Sequence, residues 1–144
     1  MNDPFDRLRV MSESNEREAR YQRMAVRLAL RGAGRTSPNP LVGAVLVRKG
    51  RVLAKGYHRR AGADHAEIIA LKRAGKRARG ATLYINLEPC DHQGRTPPCT
   101  LALIDSGIRR VVAGMVDPNP LVSGKGIRRL RRASVQVDVG LLED

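Results

Sequence analysis

The chain has no tryptophan, one phenylalanine and three tyrosines among 144 residues. Its core must therefore be aliphatic, and stacking of bases on Phe or Trp platforms is a poor expectation. Cysteine is nearly absent: two residues cannot build the disulfide framework that staples small secreted domains. Acidic residues are few, 14 against 27 Lys and Arg, which leaves a formal charge of +13. No long hydrophobic run exists. The longest, Leu41 to Val47, is far too short to span a bilayer. The first residues carry Asp3, Asp6 and Glu13 and no apolar h-region, so no secretory signal is visible. Two reduced cysteines without a signal point to the cytoplasm.

What is present is ordinary for a globular chain: 42% hydrophobic and 28% charged residues. The length fits one domain and is enough to bury a single core without staples. The basic excess is mostly Arg. It is compatible with nucleic acid, with an anionic small substrate, or with a solvated surface. The densest cluster, Arg128-Arg129-Leu130-Arg131-Arg132, falls in an amphipathic helix and reads first as a solvated face.

The informative stretch runs from His65 to Cys99. It begins His65-Ala66-Glu67, passes Glu88-Pro89-Cys90 and ends Pro97-Pro98-Cys99. A lone His near a helix start is usually a packing or surface residue. Two Cys nine residues apart can be buried thiols or a disulfide. Together, one imidazole and two thiolates make a three-ligand zinc set: His65, Cys90 and Cys99. Three protein ligands leave a fourth tetrahedral position open for water, as catalytic zinc sites do. Glu67 is the natural proton carrier beside that water. The His-x-Glu…Pro-Cys pattern is that of zinc-dependent base deaminases, in which the second Cys usually follows three residues after the first. Here eight residues, Asp91 to Pro98, intervene.

Taken in order, Met1 to Asn15 reads as a flexible polar extension. A helix is expected over about Glu16 to Gly32, with Tyr21, Met24, Ala25, Leu28 and Ala29 on one face. Arg35 to Pro40 is a loop stiffened by Pro38 and Pro40, which suits it to hold the Asn39 amide at a set angle. Leu41 to Val47 and Val52 to Tyr57 form a hairpin across Lys49-Gly50. His58 follows at the strand end. Asp64 is the expected N-cap of a buried helix over about His65 to Ala74. Residues two apart on a helix point about 200° apart, so His65 and Glu67 share a centre only if His65 sits at the helix entry. Gly75 to Gly80 is a basic loop. Ala81 to Leu87 is a strand that delivers Glu88-Pro89-Cys90 at its carboxyl end, where open α/β sheets place their sites. A helix over about Pro98 to Ser106 puts Cys99 in its first turn. Arg109 to Val116 is a strand ending in the stiff Asp117-Pro118-Asn119-Pro120. A basic helix over about Ile127 to Ala133, with Ile127, Leu130 and Ala133 inward, and a strand over Val135 to Val139 complete one α/β domain, residues 16–144.

Five segments carry a resemblance: Thr36 to Val45, Gly56-Tyr57-His58, His65-Ala66-Glu67, Leu87 to Cys99 and Asp117 to Pro120. Together they resemble the deaminase domain of the bacterial riboflavin-biosynthesis deaminase/reductase, over about Tyr21 to Leu142. The long insert ending Gly94-Arg95-Thr96-Pro97-Pro98-Cys99 is specific to that branch. The tRNA, cytidine and guanine deaminases have the shorter Pro-Cys-x-x-Cys spacing. The resemblance implies a three-layer α/β/α cytidine-deaminase-like fold with a mixed five-stranded sheet. It implies zinc on His65, Cys90 and Cys99, with Glu67 as proton shuttle. It implies a substrate pocket drawing on Asn39, His58, Arg95, Thr96, Asp117 and Asn119. The implied reaction is hydrolytic deamination of 2,5-diamino-6-ribosylamino-4(3H)-pyrimidinone 5′-phosphate to the corresponding uracil compound. The family's usual NADPH-dependent reductase domain has no counterpart in these residues: either the deaminase is free-standing, with a separate reductase as a partner, or these residues are the first domain of a longer chain. A homodimer is expected, with exposed aliphatic residues of Tyr21 to Leu30 contributing.

Residue chemistry fits this pocket. Arg95 offers planar paired donors for a phosphate, and His58 offers a further donor. Asp117 and Asn119 suit ribose hydroxyls, and Asn39 can both donate to and accept from a pyrimidine edge. Competing readings remain distinct. A deaminase of tRNA is encouraged by the charge and discouraged by the cysteine spacing. A deaminase acting on another pyrimidine is compatible with the same motif. A closed structural zinc site needs a fourth ligand, for which His92 is the one obvious residue.

Overall fold

The computed structural model describes residues 4–94 and 96–140, with side chains from residue 15. Five strands form one sheet: β1 (Gly43–Arg48), β2 (Arg51–Tyr57), β3 (Thr82–Ile85), β4 (Arg110–Ala113) and β5 (Gln136–Val139). Their order is β2-β1-β3-β4-β5. The first two joints, β2–β1 and β1–β3, are antiparallel; β3–β4 and β4–β5 are parallel. The sheet is thus mixed, as expected.

Alternation of side chains along each strand builds two cores. Ala44 and Leu46 of β1, Leu83 and Ile85 of β3, and Val111 and Ala113 of β4 face one side. There they meet Ala66, Ala70 and Leu71 of α2 (Ala66–Ala74), Leu103 of α3 (Cys99–Asp105), and Ile127 and Leu130 of α4 (Lys125–Arg132). Val45, Val47, Tyr84 and Val112 face the other side and pack on Ala25 and Leu28 of α1 (Pro4–Leu30). The result is three layers: α1, the sheet, and α2 with α3 and α4. Gly43 lets α1 come close, since a Cβ there would lie 2.0 Å from the Ala25 carbonyl oxygen.

Several local expectations are corrected. The first helix begins at Pro4, not near Glu16. Pro at the first helical position costs no hydrogen bond, and no Pro or Gly interrupts the run to Leu30. Asp64 does not cap α2. The N-cap is His65, with φ −69° and ψ 158°, and Asp64 instead pairs with Lys72 Nζ at 2.8 Å. Gly75 to Ala78 is a turn of 3₁₀ helix rather than loop. Ala133 is exposed, because α4 ends at Arg132 and the chain turns outward to reach β5.

Candidate metal centre and active site

The three proposed metal ligands come from the start of α2, the turn after β3 and the start of α3. They converge at the carboxyl ends of the parallel strands. His65 Nδ1 lies 3.2 Å from Cys99 Sγ and 3.6 Å from Cys90 Sγ. All three donor atoms fall within 4.8 Å of one another. Bonds of about 2.0–2.3 Å to a tetrahedral zinc would separate its ligands by roughly 3.6 Å, so the set fits this ion. The donor chemistry fits as well: an imidazole nitrogen presented toward two thiols. In this arrangement Cys90 is pushed down, most strongly by its hydrogen bond with Cys99, while the same bond pushes Cys99 up. The contact thus favours a thiolate on one of the two sulfurs, which is the form that binds a metal. The Cys90 bond likewise raises His65.

His65 occupies the helix entry, as sharing a centre with Glu67 requires. Glu67 lies in the first turn of α2 and is 3% exposed. Burial pushes its carboxyl up to about 7, with the charge of Cys90 adding to the rise and that of His65 opposing it. A carboxyl poised near neutrality can both take and give a proton.

Asn39 and His58 stand beside this cluster. The His58 ring meets the His65 ring edge-on, with centroids 5.2 Å apart. His58 is 2% exposed, and both ring nitrogens are engaged. Nδ1 lies 3.1 Å from the Asp64 carbonyl oxygen, and Nε2 lies 3.2 Å from Asn39 Nδ2. The carbonyl can only accept, which assigns the proton to Nδ1 and leaves Nε2 to accept from the amide. The expected spare donor on His58 is therefore taken; the ring holds Asn39 instead.

A cleft of about 140 Å³ opens next to Cys90, lined also by Glu88, Asp91, His92, Asp117, Val122 and Lys125. Asp117 faces it, but Asn119 and Thr96 do not line it and are exposed. Asp117 Oδ1 accepts from the Asn119 amide, and Asn119 Oδ1 from the Leu121 amide, so both side chains also shape their own loop. Arg95 lies outside the described residues. Three residues that the sequence reading passed over matter here. Lys125 brings a cation to the cleft. Asn86 donates to the Leu41 carbonyl at 2.9 Å and accepts from Gly43 at 2.8 Å, which anchors the loop bearing Asn39. The Glu88 carboxylate accepts four backbone N–H bonds. His92 lines the cleft but is not one of the clustered donors.

Residues 15–115 match the family model for the cytidine and deoxycytidylate deaminase zinc-binding region. The chain belongs to that family. Among curated proteins it is 55% identical over 129 residues to riboflavin biosynthesis protein RibD of Aquifex aeolicus, covering 90% of this chain and 36% of the relative. Among solved structures it is similar to Acinetobacter baumannii RibD, with a TM-score of 0.88 and 45% identity over 91% of this chain and 37% of that one. It is also similar to the diaminohydroxyphosphoribosylaminopyrimidine deaminase/5-amino-6-(5-phosphoribosylamino)uracil reductase of Thermotoga maritima. There the TM-score is 0.85 and the identity 47%, over 90% of this chain and 38% of that one. The chain spans about a third of the length of these relatives. Zinc is the ion of the family, and His65, Cys90 and Cys99 make a cluster compatible with it.

Proposed function

We propose that this domain deaminates 2,5-diamino-6-ribosylamino-4(3H)-pyrimidinone 5′-phosphate by hydrolysis, yielding 5-amino-6-(5-phosphoribosylamino)uracil and ammonia. The observation that carries the reading is the His65–Cys90–Cys99 cluster with a buried Glu67 beside it, on a chain closely similar to RibD proteins. Zinc held by these three residues would supply an activated water. Glu67 would carry two protons in turn, one from the attacking water to the ring nitrogen and a second from the hydroxyl left on the ring carbon to the departing amine. The amine leaves as ammonia and a carbonyl replaces it, so one water is consumed per ammonia released. Asn39, fixed by His58, addresses the pyrimidine edge. Asp117 and Asn119 address the ribose, and Arg95 and Thr96 the phosphate end.

The deciding experiment measures ammonia release from that substrate by the zinc-loaded protein beside Glu67→Ala. Turnover in the parent that is lost in the variant, with zinc retained, supports the reading. No turnover by a parent holding one zinc per chain sinks this substrate, and related pyrimidines follow. The charge of +13 favours one second reading, a tRNA deaminase. Deamination of RNA, with affinity falling steeply as salt rises, would support it.

The domain is also proposed to pair with a second copy through α1, where Val26 and Leu30 are 39% and 60% exposed. Its product would pass to a reductase. Among the described residues no helix is long and apolar enough to cross a membrane, which is compatible with the proposed cytoplasmic site of action.

A further inference from the structure

Glu88 is an unusual residue to find inside a protein. It is 6% exposed, and no Lys or Arg among the described residues pairs with it. Its charge is answered by backbone alone. Oε1 accepts from the amides of Asp117 and Gly124, both at 2.9 Å. Oε2 accepts from Gly126 at 3.0 Å and Ile127 at 3.3 Å, in the first turn of α4. Charge-assisted bonds of this kind are stronger than neutral ones, and a helix start favours an anion. Two of the donors belong to the connection between β4 and α4 and two to the start of α4 that follows it, so all four lie within Asp117–Ile127. Glu88 itself stands two residues before the ligand Cys90.

The steric fit is equally close. Gly126 packs so tightly that a Cβ would lie 2.2 Å from the Pro89 carbonyl oxygen. The connection and the ligand turn are therefore held together by a carboxylate and by an absent side chain. Both segments line the cleft, Asp117 and Lys125 from one and Pro89 and Cys90 from the other.

We propose that Glu88 is a positioning residue. Its carboxylate locks the Asp117–Ile127 connection against the Pro89–Cys90 turn and so sets the width of the substrate cleft beside the metal ligands. It neither holds the metal nor touches the reacting atoms. The catalytic arm of the test rests on the proposed substrate; the exchange arm does not.

The experiment compares amide hydrogen exchange, zinc content and steady-state kinetics of the parent, Glu88→Gln and Gly126→Ala. Glutamine keeps one accepting oxygen and turns an NH₂ toward the other pair of donors. One pair of amides, Asp117 with Gly124 or Gly126 with Ile127, should therefore exchange about tenfold or more faster. Core amides such as Leu83 and Val112 should keep parental rates, and zinc should remain at one per chain. KM should rise several-fold in Glu88→Gln with kcat little changed. Gly126→Ala, which leaves the carboxylate in place, should raise KM in the same way. Parental exchange at all four amides of Glu88→Gln would overturn the proposal. So would uniform loss of protection across the core, or a fall in kcat with KM unchanged. If the parent fails to turn over the substrate, the functional reading falls, and the exchange pattern still decides whether Glu88 locks the connection.

Discussion

Asn39 Nδ2 lies 3.2 Å from His58 Nε2, at a ring nitrogen that can only accept because Nδ1 is committed to the Asp64 carbonyl. This pair converts a flexible amide into a fixed one. Replacing the buried His58 by Ala removes the partner of the half-buried Asn39 amide and of the Asp64 carbonyl and leaves a void beside His65. It should lower the unfolding free energy by about 2–4 kcal/mol. His58→Gln should raise KM equally for the proposed phosphorylated substrate and its dephosphorylated form. A selective loss of preference for the phosphorylated form would mean that His58 reaches the phosphate after all.

The metal set makes a separate prediction. Cys99 is 2% exposed and has no exchangeable neighbour of its own type except Cys90. Cys99→Ser should leave well under one zinc per chain after dialysis, because a hydroxyl is a poor substitute for a thiolate. His92→Ala should keep full zinc, since His92 stands outside the donor cluster. Loss of zinc in His92→Ala would revive the closed structural site.

In the proposed reaction Glu67 is the residue on which the chemistry depends. Glu67→Gln preserves its volume and removes its proton transfer. It should lower kcat by about 10²–10⁴ with zinc content and KM little changed. A variant retaining a tenth or more of parental kcat would assign the proton to another group.

Much of the above could be read from residues alone, for physical reasons. The apolar runs at β1 and β3 and the spacing in α1 announce burial, and the ligand motif is dense enough to locate the centre. The mixed five-stranded sheet came with the resemblance, and the strand pairing order was legible in neither pattern nor resemblance, because it is set by contacts between distant segments. Other features were hidden because they depend on distant partners. Glu88 and Asn86 look like neighbours of a motif; their meaning lies in backbone N–H and C=O groups 29 to 45 residues away. His58 follows a strand end, where a substrate-facing donor and a free surface His look alike, and only the fold shows that it is buried. Asp64 has the chemistry of an N-cap but is drawn off by Lys72 two turns along α2.

The face opposite the cleft offers a pH prediction. Tyr84 packs against Tyr21, with ring centroids 5.1 Å apart, in the core under α1. Burial pushes its phenol up to about 12, with Glu18 adding to the rise and Arg110 opposing it. In the unfolded chain a phenol ionises near 10. The fold thus prefers the neutral form. The stability this contributes is complete below pH 10 and is lost as pH climbs through 12, by at most about 2–3 kcal/mol. In an alkaline titration followed by phenolate absorbance, which tryptophan cannot obscure here, Tyr84→Phe should remove a late-ionising component. A single step near pH 10 for all three tyrosines would sink this expectation.

Lys125 brings the last prediction. It lines the cleft with Asp117 and forms no ion pair among the described residues. Its backbone is pinned on both sides, through Gly124 and Gly126, to Glu88. A cation so placed, on a chain proposed to take a phosphate ester, has an evident counter-ion. A charge-assisted hydrogen bond is worth about 1.5–3 kcal/mol, or roughly 10- to 150-fold in affinity. Lys125→Gln should raise KM for the phosphorylated substrate by at least about tenfold, leave kcat nearly unchanged, and leave the dephosphorylated compound unaffected. Lys125→Arg should recover much of the loss. An equal effect on both compounds would assign Lys125 to the shape of the loop and leave the phosphate to Arg95.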